Sequence, residues 1–87
     1  MRTETVTPTT TAQSIWALLG SKQADRICNA VLMQAPDTNA ADIAFGDARN
    51  QPFTLAAGAN TSFGSSAPKN VYVKGNGTDT LFVGLVQ

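Results

Sequence analysis

The sequence predicts a small all-β domain, an antiparallel β-sandwich or barrel of about six or seven short strands with one short N-terminal helix. Three observations carry that expectation. Short runs rich in Val, Ile, Leu and Phe recur at roughly eight- to twelve-residue spacing, with Gly, Pro, Asn or Asp between them. Several of these runs alternate apolar with other residues, as in NVYVKG, which suits a sheet with one buried face. At 87 residues the chain is one domain, with a scaled folded surface of roughly 4,900 Å² against about 13,000 Å² unfolded. None of this fixes strand order, so jelly-roll-like and simpler sandwich topologies are both open.

The first eleven residues hold six threonines and Pro8, with little that can be buried. Residues 1–11 read as a Thr-rich arm, extended against a neighbour or disordered, and residues 12–87 as a single β-sandwich domain. In TAQSIWALLG, Thr10 and Gln13 have capping-box spacing, Ile15, Trp16, Leu18 and Leu19 supply an apolar stripe, and Gly20 is a C-terminal stop. A helix of one or two turns fits, lying over the end of a sheet. Ser21 to Asp25 reads as a polar loop.

RICNAVLMQA is an apolar-rich run ended by Pro36. Its length is compatible with a helix, but Ile, Val and Cys favour a pleated surface and the rest of the chain is β. PDTNAAD then makes a loop, ADIAFGD a strand with Ile43 and Phe45 on one side, and PFTLAAG a strand with Phe53 and Leu55 on one face. ANTSFG follows, and SSAP is read as a loop. NVYVKG, GNGT and TDTLFVGLVQ read as a hairpin, since Asn76-Gly77 tolerates the positive φ of a tight turn.

The final run poses a problem of its own. Leu81, Val83 and Leu85 point to one face of a sheet and Phe82 and Val86 to the other, so both faces are apolar. One face is core. The second needs a cover, either a neighbouring subunit or the helix at Ile15 to Leu19.

Composition narrows the function classes. Six Lys and Arg balance six Asp and Glu, and no run of either sign occurs, so there is no basic face for nucleic acid or for an anionic membrane. Only 14% of residues are charged, well below the usual quarter, which leaves a surface of Thr, Ser, Asn, Ala and Gly. Cys28 is the single cysteine, so no intrachain disulfide forms, and in a core strand it reads as a small hydrophobe. The N-terminal MRTETVTPTTT has no apolar signal-peptide core, and no apolar run reaches the length of a membrane span. Synthesis in a cytoplasm, without a secretory step, is expected.

The absence of histidine removes Ser-His-Asp and Cys-His catalysis and His-ligated metals. DTNAAD bunches carboxylates and an amide like the start of a calcium loop, but lacks the glycine and closing glutamate of one, and a self-satisfied turn is the simpler reading. Asp42 and Asp47 flank IAFG with nothing to make them converge. GNG lacks the strand-to-helix setting of a phosphate cradle. Trp16, Phe63 and Tyr72 are few and far apart in the chain, and read as core, core and a half-exposed strand face. The chain is not expected to be an enzyme, and no cofactor or metal is expected.

DIAFGD, then PFTLAAGANTSF, then NVYVKGNGTDTLFVGLVQ resembles small structural proteins of tailed-bacteriophage virions. The resemblance covers roughly residues 26–87, and the arm with its leading TVT is in keeping. It implies a small β-sandwich building block, often a trimer or larger assembly, that decorates a capsid, sits at the base of a head fibre or belongs to the tail. No active-site residue comes with it. The expectation is a capsid decoration or cement subunit in the virion, a homo-oligomer with a trimer favoured, in contact with the major capsid protein or other virion proteins. The candidate contact residues are Val6, Trp16, Tyr72, Phe82 and Val86. The alternatives are a head- or tail-fibre module that binds a host-surface receptor through an aromatic-lined groove, and a free cytoplasmic adaptor that augments a sheet edge.

Overall fold

Alternation along the apolar runs divides each strand between an inward and an outward face, and two sheets close their inward faces on one another. The computed structural model describes residues 2–20 and 28–86. Among these are eight strands: β1 (Arg2–Val6), β2 (Gln13–Ser14), β3 (Cys28–Gln34), β4 (Ile43–Gly46), β5 (Phe53–Leu55), β6 (Asn60–Ser66), β7 (Tyr72–Lys74) and β8 (Leu81–Val86). A one-turn helix α1 (Ile15–Leu18) follows β2, and a 3₁₀ turn at Pro68–Asn70 precedes β7.

The strands form two four-stranded sheets, β1-β8-β3-β6 (sheet A) and β2-β7-β4-β5 (sheet B), with every pairing antiparallel. Only β4 and β5 are neighbours both in sequence and in a sheet; the other connections between described strands cross from one sheet to the other. This interleaved order is that of a jelly roll, an eight-stranded sandwich of two Greek keys. The expected all-β sandwich is therefore present, with one short helix, and the jelly-roll topology is the one adopted.

The core lies between the sheets. Val31 and Met33 of β3, Leu81, Val83 and Leu85 of β8 and Val6 of β1 face Ile43 and Phe45 of β4, Leu55 of β5 and Val73 of β7, with Ile15 of α1 sealed among them. Phe63 packs edge-on to Phe45 at a centroid distance of 5.7 Å. Phe53 shares the inward face with Leu55 as expected, but β5 is an edge strand. Phe53 stacks on Phe45 at 5.5 Å and remains exposed.

Three local expectations are corrected. NVYVKG does not pair with TDTLFVGLVQ: β7 lies in sheet B between β2 and β4, and β8 lies in sheet A between β1 and β3. The GNGT turn exists, with Gly77 at φ 85° and the Asn76 Oδ1 accepting from the Thr78 and Asp79 N–H groups. It sits inside a crossover, however. The Gly75 and Gly77 N–H groups donate to the Thr9 and Pro8 carbonyls, which belong to the β1–β2 crossover running alongside. Second, the helix is capped by Ser14, whose Oγ accepts from the Ala17 N–H at 3.1 Å, and not by Thr10. Gln13 belongs to β2, and its Oε1 lies 3.2 Å from the Thr9 hydroxyl. Gly20 does end the helix, at φ 75°. Third, SSAP is not all loop, because β6 runs through to Ser66.

Arg2–Val6, expected as an extended or disordered arm, is strand β1, paired with β8 from Arg2↔Leu85 to Val6↔Leu81. The total accessible surface, 4827 Å², matches the value of roughly 4,900 Å² for a compact chain of this mass, and among the described residues no arm projects from the body. The Ser21–Asp25 loop and the Arg26 start of the third run lie outside the described residues, as does the side chain of Cys28.

Candidate subunit interface

The outward face of sheet A answers the question that TDTLFVGLVQ poses. Side chains one register step apart in neighbouring strands share a face. Thr5, Phe82, Gln34 and Asn60 form one row across the sheet, Thr3, Gly84, Leu32 and Ser62 the next, and Val86, Ala30 and Gly64 a third. None of these residues is charged. The apolar members cluster on the central strands β8 and β3, and the polar members other than Gln34 lie on the edge strands β1 and β6. Glycine at 84 leaves the middle of the sheet low, and a groove of about 750 Å³ runs over it between Thr3, Leu32, Ser62 and Phe82.

No element of the described chain covers this face. Phe82 is 44% exposed and Leu32 36%. The helix packs instead against β2 and the 3₁₀ turn, where the Ile15 N–H donates to the Val71 carbonyl at 2.9 Å. The alternative cover of the sequence reading, α1 over Phe82 and Val86, is therefore not the arrangement adopted. Fully burying a Phe or Leu side chain is worth about 1.5–3 kcal/mol, and the exposed part of Phe82 and of Leu32 leaves a fraction of that unused.

The five candidate contact residues divide among three places. Phe82 and the half-buried Val86 lie on the outward face of sheet A. Trp16 and Tyr72, both half-buried, border a separate pocket at sheet B. Val6 is only 6% exposed and belongs to the chain's own core, because the arm that was to carry it outward is paired with β8; it is withdrawn as a contact residue. Leu32 is the member that sequence reading missed. It lies in a run apolar on both faces, and its outward orientation depends on which of the two sets of alternate residues meets sheet B.

The polar motifs hold the fold together. Asn39 of DTNAAD exchanges two bonds with the backbone of Thr80, Nδ2 to the carbonyl at 2.9 Å and Thr80 N–H to Oδ1 at 3.1 Å. In return Asp79 accepts from the Ala40 N–H at 3.0 Å, from the Ala41 N–H at 2.9 Å and from Asn76 Nδ2 at 3.0 Å. Foremost the Ala40 bond, with those of Ala41 and Asn76, holds the Asp79 carboxyl below its ordinary value near 3.8, against desolvation acting the other way. The two crossovers are thus latched to each other. Asp47 forms its own turn, with Oδ1 accepting from the Arg49 and Asn50 N–H groups at 2.9 Å each. Asp42 and Asp47 end opposite sides of β4. Among the described residues no cluster of three or more acidic, Cys or His side chains is placed to hold a metal, and no helix is long and apolar enough to cross a membrane.

No protein-family model, curated protein or solved structure matches the chain.

Proposed function

We propose that the chain is a structural protein of a tailed-bacteriophage virion, a capsid decoration or cement subunit that acts as a homo-oligomer, preferably a trimer, against the major capsid protein or another virion protein. The observation that carries this reading is the uncharged outward face of sheet A, with Phe82 and Leu32 exposed beside a groove. The resemblance of residues 26–87 to virion building blocks gives it its setting. The jelly roll agrees, since viral capsid domains use it, although lectins and cupins do too and a fold does not choose a function.

The size of the face suggests how such a subunit would work. Four strands at about 4.8 Å spacing and five residues at about 3.3 Å each give a projected area of roughly 300 Å². A stable pairwise interface needs about 800 Å² per partner. One such contact is modest, enough to associate free copies as their concentration rises, and many copies bound in a symmetric array gain further hold through avidity. The three rows of the face carry no charge, and Glu4, paired with Arg2, is the one charged residue lining the groove among the described residues, so attachment should depend little on salt.

Purified particles of the virus that encodes the chain provide the test. The reading expects the protein in many copies per particle, retained through high-salt washing, with antibody label spread over the shell. Absence from purified particles contradicts it.

A further inference from the structure

On the opposite sheet the fold assembles a second concavity, and we propose that it is a carbohydrate-binding site that takes a hexopyranose unit. The pocket, about 650 Å³, lies where sheet B, α1, the 3₁₀ turn and the β4–β5 turn meet, within the range of about 300–1,000 Å³ for small-molecule sites. It brings Trp16 and Tyr72 to one place with Asp47, Lys69 and Asn70. These are the aromatic residues that look too distant in the sequence to act together.

The local structure explains how they meet. Tyr72 lies in register between Ser14 on one side and Gly46 on the other. Gly46 offers no side chain, and a Cβ there would overlap the Asn50 carbonyl oxygen and approach the Gln51 Cα to 2.9 Å, so the backbone of the β4–β5 turn lies directly over it and walls that side of the pocket. Ser14 is buried with its hydroxyl turned to the Ala17 N–H as the helix cap. Neither neighbour puts a side chain over the tyrosine, which is half-buried beside the turn. The Ile15 N–H bond to the Val71 carbonyl ties α1 to the residue before Tyr72 and so fixes Trp16 near it. Across the pocket, the two bonds to Asp47 Oδ1 hold that carboxylate in place before any ligand arrives.

The chemistry fits a sugar. A pyranose has an apolar face of C–H groups and a rim of hydroxyls that both donate and accept. Trp16 and Tyr72 supply flat apolar surface with polar tips, while Asp47 accepts, Lys69 donates and Asn70 does both. A nucleic-acid base would also stack, but its phosphates call for a basic surround, and here Lys69 is balanced by Asp47. The pocket lies on the opposite sheet from Phe82 and does not depend on the shell contact.

Trp16 is the chain's only tryptophan, so intrinsic fluorescence reports on this pocket directly. The full chain is titrated with methyl α-mannopyranoside, methyl β-galactopyranoside and N-acetylglucosamine to about 100 mM, the weak-binding range. A saturable change with at least one sugar is expected. It should weaken roughly tenfold or more in Tyr72→Ala and in Asp47→Asn, and persist in Phe82→Ser. Asp47→Asn keeps an oxygen for the turn, and it decides the matter if Tyr72→Ala does not fold. No saturable change with any of the three sugars, or a change of equal affinity in Asp47→Asn and folded Tyr72→Ala, overturns the proposal.

Discussion

Leu81 is fully buried in the central core cluster, and Phe82, the next residue, is the most exposed apolar side chain of sheet A's outward face. That contrast between neighbours sets opposite expectations for their substitution. Leu81→Ala removes packed methyl groups and leaves a cavity, and should cost about 2–5 kcal/mol in urea unfolding. A loss below about 1 kcal/mol would contradict its place in the core. Asp79 acts through charge. Its carboxyl is held below the ordinary value, so the stability it contributes is present above that value, near 3.8, and is lost as pH falls through the lower folded one. Asp79→Ala should lower the thermal midpoint at pH 7 and remove that part of the acid sensitivity. Parallel pH curves for variant and wild type would show that the latch contributes nothing. The buried face of Leu81, Val83 and Leu85 was legible from period-two alternation. The role of Asp79 was not, because its chief partners are the N–H groups of Ala40 and Ala41, distant in sequence and without a side-chain signature.

At the scale of elements, β1 is the instructive case. It is held by main-chain bonds to β8 and by the single buried side chain of Val6, with most of its residues exposed. A strand with one buried residue has no hydrophobic period to read, which is why a Thr-rich segment looks like a free arm. Deleting residues 2–6 should expose the β8 edge and uncover the core beneath Val6, costing at least about 1.5–3 kcal/mol and promoting edge-to-edge aggregation. Unchanged stability after deletion would restore the arm. The GNGT segment shows the converse error. Asn76-Gly77 makes the tight turn its residues demand, but six residues separate Lys74 from Leu81, and the spare N–H groups of Gly75 and Gly77 are taken by the neighbouring crossover. Turn chemistry is local. Which strand the chain joins after the turn is decided by pairing across the whole fold.

The whole molecule separates its surfaces by sheet. Sheet A turns an uncharged face outward, centred on Phe82, Gly84 and Leu32, whereas sheet B turns outward Tyr72, Lys74 and Thr54 beside the Trp16 pocket. The fold class was legible from spaced short strands and turn residues. The jelly-roll order was not, since it arises from crossovers whose partners, such as Asn39 with Thr80, lie half a chain apart. The central claim is that the outward face of sheet A is a contact surface between copies and with a shell. Light scattering across a concentration series, on the wild-type chain and on Phe82→Glu, tests it most directly. The wild type should rise in mass with concentration toward a trimer or larger species, and Phe82→Glu should stay monomeric with its unfolding midpoint nearly unchanged, as befits an exposed position. A wild type that remains monomeric throughout, or a Phe82→Glu variant that associates equally well, would contradict it.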